Sequence, residues 1–231
     1  MSARERRPLL FAFISVLLCG MITVVFGVWP CRAAAQPQEL PAKIATLGGR
    51  AELSRKGGPW AAAALRDELS AGDAVRTIAG RLAVLTGSGQ SLRLGAHTQI
   101  VFAADAGPAT AGPTQLRMNG GLLWVAVMPN SPPPTHIEVR AGPATVTARG
   151  GGATIGMNPD GSVRVAVYHG GVTVSGEGWQ RALVQDQTLL VPPVGAPVET
   201  GLLKREKRDA EWAKWNEQQD RAGGYGARIE K

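Results

Sequence analysis

The chain has 231 residues, 44% hydrophobic and 19% charged, with a formal net charge of +7, 30 glycines, 16 prolines and 2 cysteines. That length carries one domain or at most two small ones, and a Gly, Ala, Val and Leu bias with few aromatics suits a turn-rich β-protein better than a helical bundle. Arg4, Arg6, Arg7 and Arg32 against Glu5 give +3 over residues 1–35, leaving a scattered +4 on the rest. No Lys/Arg stripe interleaves with aromatics, which argues against a nucleic-acid groove.

The amino terminus reads as a targeting segment. Arg4, Arg6 and Arg7 precede an apolar run from Leu9 to Trp29, Pro30 stops any helix, and Ala33-Ala34-Ala35 supplies the small residues a signal peptidase reads. The run is long for a signal core and close to a bilayer span, so a cleaved signal and an uncleaved anchor both stay open. Either places the residues after Gln36 outside the cytoplasm, in the periplasm or cell envelope. Cys19 and Cys31 both fall in this segment without a convincing lipobox, so the exported body has neither disulfide nor thiol chemistry.

Beyond a polar connector (residues 36–43) a β pattern begins and runs to 193. Gly48-Gly49, Gly120-Gly121 and Gly170-Gly171 each precede a strand-like run, a weak internal repeat read as repeated β-turns. Lys56-Gly57-Gly58 and Glu177-Gly178 are turns leading to Trp60 and Trp179, whose rings could be buried or lie on the surface. Trp124, between Leu123 and Val125, is expected in the core. Gly72-Asp73 forms a turn into Val75-Arg76-Thr77, and Ser88-Gly89 marks a hairpin. Alternation puts Ile137 and Val139 on one face, and Val163, Val165 and Val167 likewise. Asn158-Pro159-Asp160-Gly161, between Ile155 and Val163, is a strong hairpin turn. The stretches Ala103 to Thr114 and Pro129 to Thr135 are surface loops, because proline removes ladder donors.

Residues 194–200 read as a linker, 201–222 as a helix and 223–231 as a flexible tail. Trp212 and Trp215, three apart, share a helix face. Two readings stay open: the helix packs on its own domain, or it is exposed and Trp212 and Trp215 contact a partner.

The search for chemistry finds little. His97, His136 and His169 lie near no second ligand at metal-binding spacing, and HExxH, CxxC and GxSxG are absent. Asp67, Glu68 and Asp73 read as a loop and turn cluster rather than a glycosidase pair. No enzyme, cofactor or metal is expected.

The run Leu69-Ser70-Ala71-Gly72-Asp73-Ala74-Val75-Arg76-Thr77, then Arg81 to Leu85 and Gly89 to Leu94, resembles the FecR domain, with its GD-x-[V/I]-x-T turn and two alternating strands. Gly121 to Val125, Asp160 to Val167 and Gly171 to Val174 are similar to its later strands. Trp212, Trp215, Asn216, Asp220 and Arg221 look like a W-x-x-W-N…D-R segment that follows the domain in stand-alone members. The resemblance implies an all-β extracytoplasmic bacterial module and makes Gly72, Asp73, Thr77, Gly161 and Gly171 its fold-defining turns. Only about eight residues precede Leu9, so the resemblance is not expected to extend to the cytoplasmic region by which the naming members control a sigma factor. The expected architecture is an antiparallel β-sandwich, roll or short solenoid of many short strands, with an amino-terminal signal or transmembrane helix and a carboxy-terminal helix. The expected function is non-catalytic interaction with another envelope protein. Glycan or peptidoglycan binding through Trp60 or Trp179, and membrane-anchored regulation of the FecR type, are the alternatives; the membrane would be met only through the amino terminus.

Overall fold

The computed structural model describes residues 42–103, 113–128, 136–202 and 207–225. The export segment, most of the connector, most of both surface loops and residues 226–231 lie outside them. The described strands are β1 (Ala42–Ser54), β2 (Trp60–Ala62), β3 (Glu68–Leu69), β4 (Ala74–Leu85), β5 (Ser91–Leu94), β6 (Gln99–Phe102) and β7 (Thr114–Val127). They continue with β8 (Ile137–Ala141), β9 (Ala144–Met157), β10 (Val163–Gly176), β11 (Trp179–Val184), β12 (Gln187–Val191) and β13 (Val198–Leu202). One helix, α1 (Lys207–Gly223), follows. The strands join in the order β13-β12-β10-β9-β8-β7-β5-β4-β1-β2, with β3 on β1, β6 between β4 and β7, and β11 on β10. Pairing is antiparallel except between β7 and β8.

The strands are not all short. Five of them, β1, β4, β7, β9 and β10, run 12 to 14 residues. Each changes the parity of its inward-facing set along its length, at a bulge within a few residues of a glycine. In β7, Leu116 and Met118 face the core before Gly120-Gly121, and Leu123, Val125 and Val127 after it. In β10 the inward set passes from Val163, Val165 and Val167 to Val172 and Val174 across Gly170-Gly171. A strand that keeps its pleat cannot change parity without a bulge or bend. All these residues belong to one core cluster, so the bent halves wall a single interior. The Gly-Gly repeats are therefore corners inside strands, not turns between them. Gly171 accordingly lies within β10, and the positive φ belongs to Gly170.

Side-chain methyls could not occupy these corners. Gly49 pairs with Gly80, and a Cβ on Gly80 would meet the Gly48 carbonyl oxygen at 1.9 Å. Gly151 pairs with Gly170, and a Cβ on Gly151 would meet the His169 oxygen at 2.2 Å. The expected hairpins form: Gly89 closes β4 to β5 by bonding Thr86, and Gly161, at φ +85°, bonds Asn158 between β9 and β10. In that turn the Ser162 hydroxyl and amide donate to Asp160 and hold its carboxyl below the usual carboxylate range.

The carboxy-terminal boundaries differ from the sequence reading. β13 begins inside the expected linker, runs past its end and pairs with β12, and α1 starts at Lys207 rather than 201. Gly201 and Leu202 carry helix-compatible neighbours, but the ladder on β12 claims them. The helix ends by a Schellman arrangement: Tyr225 N–H donates to the Asp220 carbonyl and Gly224 N–H to that of Arg221, with Gly224 at φ +77°. Gly224 turns the chain back, so Tyr225, assigned to a flexible tail, is buried against the body.

Candidate functional site

The outward face of the bent sheet's helix-side half carries a second, smaller cluster. Residues that alternate with the core set point outward: Arg93 from β5, Trp124 and Ala126 from β7, Thr154 from β9 and Ala166 from β10. Their register makes one cross-strand row, Arg93–Trp124–Thr154–Ala166. This explains why β5, read simply as alternating, is buried throughout. Helix α1 lies on the row with Trp212, Ala213, Asn216 and Asp220, a stripe at helical spacing. Trp212 is 6% exposed and packs with Trp124, Ala126, Ala166 and Tyr168; Trp215 is half-buried beside it, ring centroids 5.7 Å apart. Arg81 covers the pair, its guanidinium carbon 4.9 Å from the Trp215 ring centroid. Burying the rings of Trp124 and Trp212 stabilises this contact by roughly 2–3 kcal/mol each.

At its centre is one carboxylate. Asp220 Oδ1 accepts from Arg93 Nη1 at 2.6 Å, and Oδ2 accepts from Trp124 Nε1 at 3.1 Å, with His169 Nε2 at 2.8 Å. Arg93 also donates to the Asn216 carbonyl at 3.1 Å, and Asn216 Nδ2 donates to the Trp212 carbonyl. Arg93 and Asp220 are 4% and 1% exposed. Three donors from three strands thus converge on one helix side chain.

His169 reaches the cluster through a bulge. Val167 pairs with Ala153 and His169 with Gly152, so Tyr168 is the extra residue and both it and His169 face α1. Strict alternation would point His169 inward. Gly152 makes room: a Cβ there would stand 2.3 Å from His169 Nε2 and 2.8 Å from Asp220 Oδ2. The sequence reading paired no histidine with a carboxylate because these two are 51 positions apart. Arg93 looked like an ordinary surface residue of an alternating strand.

The arrangement is suited to fastening rather than turnover. The carboxylate is capped on both oxygens by Arg93, Trp124 and His169, and the helix closes over it. Among the described residues no group of three His, Cys, Asp or Glu could hold a metal. The other histidines stand apart from it. His97 occupies a left-handed position in a turn. His136, before β8, is held below its ordinary pKa by burial and then by Arg149, with Glu138 opposing. Trp60 is half-buried with Arg76 stacked 4.2 Å from its ring centroid, and Trp179 is half-buried over Gly176 against the main core.

The sequence profile of the family described as FecR protein matches residues 73–173. This segment is a FecR-like domain. The FecR-like domain supplies Arg93, Trp124 and His169, whereas Asp220 comes from α1 beyond it. The chain is also similar to two crystal structures of proposed anti-sigma factors from Parabacteroides distasonis, determined at 1.65 and 2.50 Å. The TM-scores are 0.48 and 0.46 at 18% and 19% identity, covering 56% and 55% of this chain. This chain spans 59% and 58% of those chains, less than two thirds of either. No curated protein matches it. The FecR-like domain is a non-catalytic module.

The GD-x-V-x-T stretch of the domain is structural. Asp73 is buried and accepts from the Ser70 and Lys56 amides and from Arg55 at 2.9 Å, tying the β1–β2 turn to the β3–β4 turn. Thr77 lies inside β4, but its hydroxyl donates to the Gly95 carbonyl and accepts from Thr98 N–H, pinning the β5–β6 turn. Asp73→Ala is expected to cost about 1–2 kcal/mol, since it removes the buried acceptor shared by the Ser70 and Lys56 amides and by Arg55; urea unfolding measures this, and an unchanged midpoint would refute it.

Tyr225 fastens the end of α1 by donating to the Gly89 carbonyl at 2.7 Å. Burial raises its phenol above the ordinary value of 10.0, with Arg93 opposing and Asp220 adding. The fold therefore prefers the protonated phenol. This contribution is fully present below pH about 10 and is lost as pH rises through the higher folded value. Thermal melts from pH 8 to 11 should show a steeper alkaline loss in wild type than in Tyr225→Phe.

Proposed function

We propose that this chain is an extracytoplasmic interaction module that binds another envelope protein in sensing or in envelope organisation. The observation that carries this reading is the FecR-like domain over residues 73–173, following a segment whose sequence reads as an export signal or anchor. No described helix is long and apolar enough to cross a membrane, and residues 9–29 lie outside the described set.

The physical route is the open strand edge. Among the described residues β2, β11 and β13 each hydrogen-bond to a neighbouring strand on one side only, which leaves backbone donors and acceptors for an added strand. β11 is the most accessible, with Gln180, Arg181, Ala182 and Val184 exposed. The test is photo-crosslinking in intact cells from Ala62, Ala182 and Glu199, one per edge, with captured proteins identified by mass spectrometry. The expected result is a single envelope protein enriched from one edge and not from the others. Failure to capture any envelope protein from all three positions would refute the reading.

A further inference from the structure

The contact between α1 and the FecR-like domain differs in chemistry from the main core. Among the described residues four buried side-chain polar atoms lack a hydrogen-bond partner. One, Gln90 Nε2, belongs to the β4–β5 hairpin. The other three are Thr154 Oγ1 and Thr188 Oγ1, on the outward row beside Ala166, and Trp212 Nε1 on the helix itself. Buried polar atoms are normally satisfied by protein or ordered water, so this contact is less fully hydrogen-bonded within the chain than the main core. The same contact holds the buried Arg93–Asp220 pair. A buried ion pair contributes little net stability compared with an apolar equivalent, while loss of one partner is costly. The helix touches the sheet through one stripe and is otherwise polar, and a 17-residue helix is marginal on its own.

The sheet side of the contact is supplied by three strands of the FecR-like domain. Arg93, Trp124 Nε1 and His169 all aim outward at one point, from β5, β7 and the bulge of β10. Trp124 and Tyr168, ring centroids 4.7 Å apart, form an aromatic floor beside them. This face presents a cationic, hydrogen-bond-donating pocket next to an apolar one.

We propose that the outward face of β5, β7, β9 and β10 is a binding site for a helix of another protein, and that α1 fills it in cis as a displaceable strap. Charge complementarity defines the occupant: a helix carrying an aromatic anchor and, two turns later, a carboxylate, as Trp212 and Asp220 do. A rival helix with that pattern displaces α1 and meets Arg93, Trp124 and His169. The inference holds whether or not the strand edges bind an envelope protein.

The test uses the full chain. The probe is a fluorescent peptide of residues 207–225, and the receptor is the Trp212→Ala, Trp215→Ala chain, whose own strap is weakened while the sheet face is intact. The peptide should bind this chain at least tenfold more tightly than it binds wild type, and the same peptide with Asp220→Ala should not bind. No binding to the folded double variant, or equal binding of the two peptides, would overturn the proposal. A dimer of the wild-type chain that dissociates on Asp220→Ala would overturn it too, by assigning the face to a second copy. Should the double variant lose its β-sheet circular dichroism, hydrogen exchange in wild type decides. The α1 amides should exchange at least a hundredfold faster than those of β7, and equal protection would contradict a displaceable strap.

Discussion

Asp220→Ala is expected to be the most damaging polar substitution in the chain. It removes the one acceptor shared by Arg93, Trp124 and His169. Leaving Arg93 buried and uncompensated would cost about 3–5 kcal/mol. The loss has a ceiling, however. Once α1 lifts away, Arg93 meets water and the penalty stops, so the cost cannot exceed the free energy of docking the helix. The expected result is a new, early fluorescence transition in urea, reported by Trp124, Trp212 and Trp215, while the far-ultraviolet β signal unfolds near its wild-type midpoint. Asp220→Asn, which keeps an acceptor, should fall between the two. One unshifted transition in Asp220→Ala would refute the role given to this carboxylate.

Gly80→Ala should destabilise by about 3 kcal/mol or more although Gly80 is exposed. Two costs add: the left-handed backbone at φ +84°, and a Cβ driven into the Gly48 carbonyl at 1.9 Å. Gly89→Ala is the control. Its φ of +80° is similar, but a Cβ there meets nothing within 4 Å, so only the backbone term of about 1–2 kcal/mol remains. Comparing the two urea midpoints isolates the steric part of the corner. Equal losses would mean that the corners are not close approaches of two strands.

These two substitutions also show what the sequence discloses. Alternation around Val139 and Val165, and turn chemistry at Asn158-Pro159-Asp160-Gly161, are local, so β8, β10 and the turn that leads into β10 were legible, whereas β9 was not. The Gly-Gly pairs were visible as a repeat but ambiguous, because glycine serves a turn and a mid-strand corner equally well. Only the parity change of the core set across each pair distinguishes them, and that requires knowing which side is inward. The carboxylate cluster was least legible. Its partners are 51 to 127 positions from Asp220, and one of them, His169, depends on a bulge that reverses the alternation rule. The tryptophan spacing in α1 did announce a contact face, and the FecR resemblance named Trp212, Trp215, Asn216 and Asp220 together. It could not say that their counterpart was Arg93.

The fastening of α1 by a buried carboxylate is tested most directly by a double-mutant cycle between Arg93→Met and Asp220→Ala, read as urea stability. The two side chains touch, so their effects should be strongly non-additive, with a coupling of about 2–3 kcal/mol. A coupling below about 0.5 kcal/mol, the range of residues that do not interact, would contradict it.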